Sequence, residues 1–330
     1  MKHILTITLL LLCSAVPLYA QSGTAGAFTR MGFGARGQGM GNAMTTVNTG
    51  TISTYYNPAL SAFQEGSVLH GSYSFLALDR RFNQVGYTQM IRIYNDEARV
   101  YADEPGVQSI SGISVSWIHA GDANIQGYDS DGFKTSMLSV FENQFALNFG
   151  TRFSDRMAAG FNAKFYYSGL YDGVTSAGFG LDVGILYTVT SVLRVGLVAQ
   201  ELLTKYKWDT SDLYGPERGN ATEDPFARIY RIGIGYTLPD DYGLAAADLE
   251  IIDDVLLGRI GVEFPVVDNI WLRGGVERLD FSDQGIDARP TVGFSISQPL
   301  AQMQPVIHYA FILEPVAPSP THVLSFVLQF

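Results

Sequence analysis

The sequence predicts an all-β fold, a transmembrane antiparallel β-barrel of about fourteen strands, and three observations predict it. Apolar residues recur at every second position through most of the chain. The polar connections between these runs alternate between short and long. The composition is rich in rings and glycine but poor in charge: 35 glycines, 18 tyrosines and 20 phenylalanines in 330 residues, with 16% charged.

The chain opens with a basic "MKH", an apolar "ILTITLLLL" and a small-residue exit, "CSAVPLYA". That is the pattern of a secretory signal peptide over residues 1–20, cut after Ala20. Its apolar run is shorter than the ~20 residues a helix needs to cross a bilayer. "LLLC" has the outline of a lipoprotein cleavage box, but Leu12 before Cys13 is bulkier than that chemistry usually tolerates. Cys13 is the only cysteine, so the exported chain has no thiol for a disulfide or a thiolate metal site. A net charge of -11 with scattered Lys and Arg argues against nucleic acid as a partner.

Leu256 to Glu277 shows the strand period most plainly. Leu256, Gly258, Ile260, Val262 and Phe264 share one parity, with Arg259, Gly261 and Glu263 on the other. After "PVVDN" the alternation resumes, with Ile270, Leu272, Gly274 and Val276 against Arg273, Gly275 and Glu277. Period two with a short polar break predicts a hairpin. The unit recurs in "GFNAKFYY", "YRIGIGYTL" and "TVGFSISQ". In each, the second face mixes glycine, small polar residues and occasional charge. Such a face suits the inside of a closed barrel whose outside meets lipid.

Strands are expected to start near Val68, Asn83, Ile110, Ser139, Met157, Ser176, Leu193, Ala227, Tyr242, Leu256, Ile270, Ala288, Gln304 and Thr321. "FSDR", "TVTS", "LPDD", "PVVDN" and "SQPLAQ" read as short turns on one rim. "GDANIQGYDSDG", "YDGVTS", "TKYKWDTSDLYGPERGNATEDPF" and "DFSDQGID" read as outward loops. Tyr166, Tyr167, Tyr230, Tyr236 and Trp271 are expected in aromatic girdles at the membrane interfaces.

Residues 32–37 read "GFGARG", a literal G-x-G-x-x-G. A dinucleotide site would need a buried strand before it and an apolar-periodic helix after it. The flanks "SGTAGAFTRM" and "QGMGNAMTTVNTG" supply neither. The glycines need another explanation.

The stretch "GFGARGQGMGNAMTTVNTGTISTYYNPALSA", followed by strands and a terminal phenylalanine, resembles the FadL-like outer-membrane barrels. It is most similar to their PorV/PorQ branch, associated with type IX secretion. Gly34, Ala35, Arg36, Gly39, Met40, Gly41, Asn57, Pro58 and Ala59 carry the likeness. The resemblance implies a fourteen-stranded barrel with an N-terminal hatch inside the lumen, over residues 21–66, and a barrel over 67–330. Within that hatch, glycines allow tight backbone passage, Arg36 seeks a carboxylate on the wall, and Asn57-Pro58 fixes a turn. A flexible glycine leader is the bland alternative. Phe330 resembles the terminal aromatic read by the barrel-assembly machinery.

Enzyme chemistry is not expected, and neither is a cofactor or a metal. His70, His119, His308 and His322 stand apart in sequence, and no G-x-S-x-G or S-x-x-K occurs. Asp122, Asp129 and Asp131 lie close together but miss the calcium-loop pattern. Lys164, Arg259, Glu263, Arg273 and Glu277 are the expected lumen charges. Folding the hairpin about "VVD" puts Arg273 diagonally near both Glu263 and Arg259, as wall-stiffening pairs or a pore lining.

Two functions lead, with a structural barrel that has no cargo of its own as a blander third. As the PorV/PorQ likeness implies, the barrel acts in type IX secretion or surface attachment in the outer membrane. Its partners are then translocon subunits and cargo C-terminal domains, with Trp208 and Tyr214 as candidate loop contacts. As the FadL likeness implies, it is instead an uptake channel for hydrophobic compounds such as long-chain fatty acids. Phe133, Met137, Leu138 and Phe141 are then candidates to line an apolar pocket.

Overall fold

A computed structural model describes residues 25–94, 107–171, 173–300 and 302–330. The expected signal peptide, with Cys13 and the cut after Ala20, lies outside the described residues.

Fourteen strands close into one antiparallel barrel. In chain order the strands are β1 (Ser67–Phe75), β2 (Arg81–Tyr94), β3 (Val107–Tyr128), β4 (Lys134–Ser154), β5 (Met157–Tyr171), β6 (Val174–Thr188), β7 (Leu193–Leu202), β8 (Lys205–Asp209), β9 (Ala221–Pro225), β10 (Ile229–Thr237), β11 (Leu244–Ile252), β12 (Val255–Val267), β13 (Ile270–Asp280), β14 (Arg289–Ser297), β15 (Gln304–Ile312) and β16 (Thr321–Gln329). β1 pairs with β16 to close the cylinder. β8 and β9 pair only with each other, and β7 joins β10 directly across them.

The alternation behaves as lipid demands. Phe179 is 72% exposed on the outside of β6, while Lys164 on β5 is 4% exposed inside. A water-soluble protein would reverse that order. Tyr167, Tyr230 and Tyr236 face outward, but Tyr166 does not: it is fully buried in the lumen, because its even parity on β5 is that of Lys164.

Several connections differ from expectation. "PVVDN" is not a five-residue turn: β12 runs on to Val267, and Asn269, at φ 66°, makes the turn before Ile270. Pro265 is thereby paired with Trp271 inside the ladder. "YDGVTS" is also no loop, since β5 ends at Tyr171 and β6 begins at Val174. Most of "GDANIQGYDSDG" is strand, with Asp122 opposite Val140 and only residues 129–133 left as a tip. β3 and β4 span 22 and 21 residues, about twice what a membrane crossing requires, so this hairpin projects beyond the rim. The same rim carries the insertion at residues 203–228, which makes it the outward one.

Residues 25–66 contain no strand and run through the barrel interior. Helix α1 (Gly34–Gly39) touches β1 and β13–β16, while a 3-10 turn at Pro58–Phe63 touches β2–β6. The glycine fingerprint thus opens a helix after all. It is six residues long and follows a 3-10 turn at Ala27–Arg30 rather than a strand, so the dinucleotide geometry is missing.

Candidate functional site: the filled lumen and its mouth

The interior segment meets the wall in two unlike ways. On β3–β6, Gly112, Gly150, Gly160 and Gly184 are cross-strand partners in one row. A Cβ on Gly112 would lie 2.1 Å from the Ser61 carbonyl oxygen, and one on Gly160 2.5 Å from that of Pro58. On Gly184 it would lie 2.2 Å from Asn57 Oδ1. Only a wall without side chains lets the Asn57–Ser61 backbone come this close. Polar contacts complete the seat. Asn57 Oδ1 accepts from the Ala59 N–H at 3.0 Å, capping the Pro58 turn, and Asn57 Nδ2 donates to the Thr45 carbonyl at 2.9 Å. Asn148 on β4 donates to the Pro58 carbonyl at 3.0 Å.

On the opposite side the hold is ionic. Arg36 grips Glu263 of β12 in a fork, Nε to Oε2 at 2.9 Å and Nη2 to Oε1 at 2.7 Å. Its Nη1 donates to the carbonyls of Thr49 and Thr51 at 2.6 and 2.8 Å. The first amides of α1 are capped by the wall, Gly34 by Gln84 and Ala35 by Ser325, both at 2.7 Å. Beyond α1, Met40 and Gly41 lie on a second glycine pair, Gly261 and Gly275, while Gly39 approaches Gly293.

Among the described residues, most of the lumen charges fall into four buried groups, with Asp248 bonded instead to Thr45 and Arg194 to Thr237. Lys164 Nζ lies 2.8 Å from Asp182 and 2.7 Å from Glu201. Glu250 takes Arg231 and, at 2.7 Å, Arg259. Glu263 takes Arg36 and Arg273. Glu277 takes Arg289 and the Asn42 amide, and Arg289 reaches on to Glu314. The expected pairing of Arg273 with Glu263 is present, but not on a diagonal, and Arg259 is not part of it. Arg273 is directly opposite Glu263, and Arg259 turns to Glu250 on β11. The longer β12 sets the first result, and a register shift between Gly258 and Ile260 the second.

At the mouth, β8 and β9 fold back over the barrel. The Phe226 ring lies 4.8 Å from both Tyr166 and Tyr206, and Trp208 lies 5.1 Å from Tyr206. Phe28 of the interior segment meets Tyr166 edge-on at 6.4 Å. Trp208 packs against this cluster and is half-buried. Tyr214, at the end of the short helix α2 (Ser211–Tyr214), is exposed. Phe133 and Met137 are exposed on the projecting hairpin, and Phe141 packs against the outward ring of Tyr167. Those three therefore lie away from the mouth cluster.

The histidines are less isolated than their spacing suggests. His70 and His308 line one void of about 10 Å³, room for about one water, beside Arg36 and Tyr56. His308 Nδ1 is 2.5 Å from Ser295 Oγ. Asp129 Oδ1 accepts the amides of Asp131 and Phe133, which holds the hairpin tip. Among the described residues, no three His, Cys, Asp or Glu side chains group to hold a metal. Phe330 exchanges backbone hydrogen bonds with Ser67 at 2.8 and 3.0 Å, at the seam where the barrel closes.

Sequence reasoning missed the wall glycines, along with Asp182, Glu201, Arg231, Glu250 and Arg289. Their inward parity was available for most of them. Glu201 broke it, because it sits at φ 59° in an irregularity between β6 and β7.

This architecture has solved counterparts. The CymD monoaromatic hydrocarbon channel superposes with a TM-score of 0.60 at 14% identity, covering 91% of this chain and 98% of that one. The Ralstonia pickettii toluene transporter TbuX gives 0.57 at 13%, with 91% and 98% covered. A Pseudomonas aeruginosa FadL homologue gives 0.52 at 10%, with 90% and 98% covered. The fold is that of the FadL-like outer-membrane barrels. At such identities the likeness is one of fold. No protein-family model matches the sequence, and no curated protein matches it significantly. A barrel of this fold is a multi-pass protein of the outer membrane, and of these counterparts CymD is a channel and TbuX a transporter.

Proposed function

We propose that this barrel passes hydrophobic compounds across the outer membrane. One observation carries the reading: a FadL-like barrel is filled by its own N-terminal segment and roofed, at its outward mouth, by aromatic rings. A water-filled pore would need an open polar lumen. Here a polar solute entering the mouth has to part the buried rings of Phe28, Tyr206 and Phe226, whereas an apolar one exchanges like contacts for like. Uptake is the test. Cells or vesicles carrying the barrel accumulate a labelled hydrophobe such as toluene several-fold faster than those without it, and equal rates would sink the reading.

The same proposal divides the chain into a signal peptide at 1–20, a hatch at 21–66 and a barrel at 67–330, with lipid and the barrel-assembly machinery as partners. A second reading, secretion or surface attachment of the PorV/PorQ type, draws on Leu213 and Tyr214, exposed apolar side chains on the outward insertion. Translocon subunits or cargo C-terminal domains would dock there. A pull-down from native membranes that recovers neither would count against it.

A further inference from the structure

At its outward end, the wall formed by β15, β16 and β1–β3 turns polar nitrogen toward lipid. Arg81, Phe75, His322 and Phe311 are successive cross-strand partners in one row. Their parity is outward, because Phe82 beside Arg81, and Thr321 and Val323 around His322, are buried inside. Phe75 is 54% exposed, and Arg81 is exposed beside it. One row nearer the membrane centre, Tyr73, Asn83 and His119 stand side by side. The Tyr73 and Phe75 rings are 4.7 Å apart, and Phe311 lies 5.4 Å from His322. Such a band of rings marks the headgroup level of the bilayer. The Tyr309 hydroxyl meets His322 Nδ1 at 2.6 Å, and His119 Nδ1 meets Asn143 Oδ1 at 2.9 Å. Both imidazoles are thereby held in place through Nδ1.

A charge on a lipid-facing strand position is costly at the bilayer midplane and tolerated toward the interface. Arg81 sits at that interface, and among the described residues no carboxylate pairs with its guanidinium. Asp79 in the same β1–β2 turn pairs with neither Arg80 nor Arg81. Across the barrel the outward rim is acidic, with Asp253 and Asp254 between β11 and β12 and Asp283 and Asp287 after β13, all exposed. A chain of net charge -11 thus gathers donors toward lipid on this arc, away from those acids. We propose that the arc binds the phosphate of an outer-leaflet lipid, with Arg81 gripping the phosphate oxygens and His322 flanking them across the Phe75 ring. A guanidinium offers a planar fork of donors that fits two phosphate oxygens. The rings of Phe75 and Tyr73 take the first methylenes of the acyl chains. A soluble phosphate gains only the polar half of these contacts, so the site favours the lipid. The site lies on the outside of the wall and stands apart from the uptake reading.

Native mass spectrometry of the full-length barrel in detergent tests this. The probes are dioleoyl phosphatidic acid and dioleoylglycerol, which differ only in the phosphate. Phosphatidic acid should bind about tenfold tighter, as a charge-assisted fork predicts. Arg81→Gln should remove most of that preference, and Arg81→Lys, which keeps the charge and loses the fork, should fall between. His322→Gln should cost about twofold, as a flanking contact. Arg156→Gln takes an exposed arginine from the opposite rim and should change nothing. Equal binding of the two lipids, an equal loss from Arg156→Gln, or full displacement by equimolar inorganic phosphate each overturns the proposal. A change of oligomeric state on Arg81→Gln, with lipid binding intact, makes the arc an interface between copies and overturns it too. Should Arg81→Gln fail to fold, Arg81→Lys and His322→Gln carry the comparison.

Discussion

The two seats of the interior segment both rest on wall glycines, but only one of them adds a buried ionic clamp. On β3–β6 the chain lies against bare backbone, with Gly112, Gly150, Gly160 and Gly184 making room for Asn57–Ser61. On β12–β14 it is clamped by the fork between Arg36 and Glu263, with Arg273 on the same carboxylate. The first seat is a matter of shape and is sensitive to a single methyl group. The second adds charge and is sensitive to losing a partner, since a buried ion without its counterion is far costlier than a buried pair.

Breaking the ionic side should produce the largest effect. Glu263→Ala strands Arg36 and Arg273 together in the lumen, which predicts a loss of about 3–5 kcal/mol in denaturant unfolding of the folded barrel in detergent. An unchanged midpoint would mean water already reaches the clamp. On the shape side, Gly160→Val drives a side chain into the Pro58 carbonyl, for a loss of about 1–3 kcal/mol. Limited proteolysis should then cut within residues 40–66 faster than in the parent. Were it to cut no faster, the glycine row would not be what seats this segment.

A finer probe of the same seat is Asn57→Ala. It removes the cap on the Pro58 turn and should lower stability by about 1 kcal/mol, while the Arg36 clamp, read from the Glu263→Ala effect in the same background, stays intact. A similar loss on mutating Thr54, whose hydroxyl lies 3.5 Å from Ser114, would blur that distinction. The smallest expectation is for the β8–β9 insertion, where Lys205 pairs with Glu223 at the surface. Lys205→Ala removes an exposed pair and should leave the unfolding midpoint where it was, because solvent already screens that interaction.

The strands were legible because period two needs no knowledge of neighbours. Met157, Leu193, Ile270, Gln304 and Thr321 start strands where the alternation begins. Strand ends were harder. Pro265 and Val267 look like turn residues, yet they stay paired because Asp268 and Asn269 suffice to reverse the chain. The site was legible in parts: Arg36 finds a carboxylate and Asn57 a turn, but which carboxylate depends on register. A shift at Arg259 and an irregularity at Glu201 each redirected a charge that parity alone would have sent elsewhere. Tyr166 was misread for a similar reason, since an aromatic ring suits an interface and an interior equally well.

What the sequence determined by itself was local and periodic: strands of a membrane barrel, an apolar outside and a polar inside, and a glycine-rich segment ahead of them. Only the tertiary structure decided which strands face that segment, which carboxylate each arginine reaches, and that the insertion folds back over the mouth. The reason is that alternation is a property of neighbours along the chain. Register, closure and the approach of one backbone to another join residues hundreds of positions apart, as Arg36 and Glu263 are, and no local pattern encodes them.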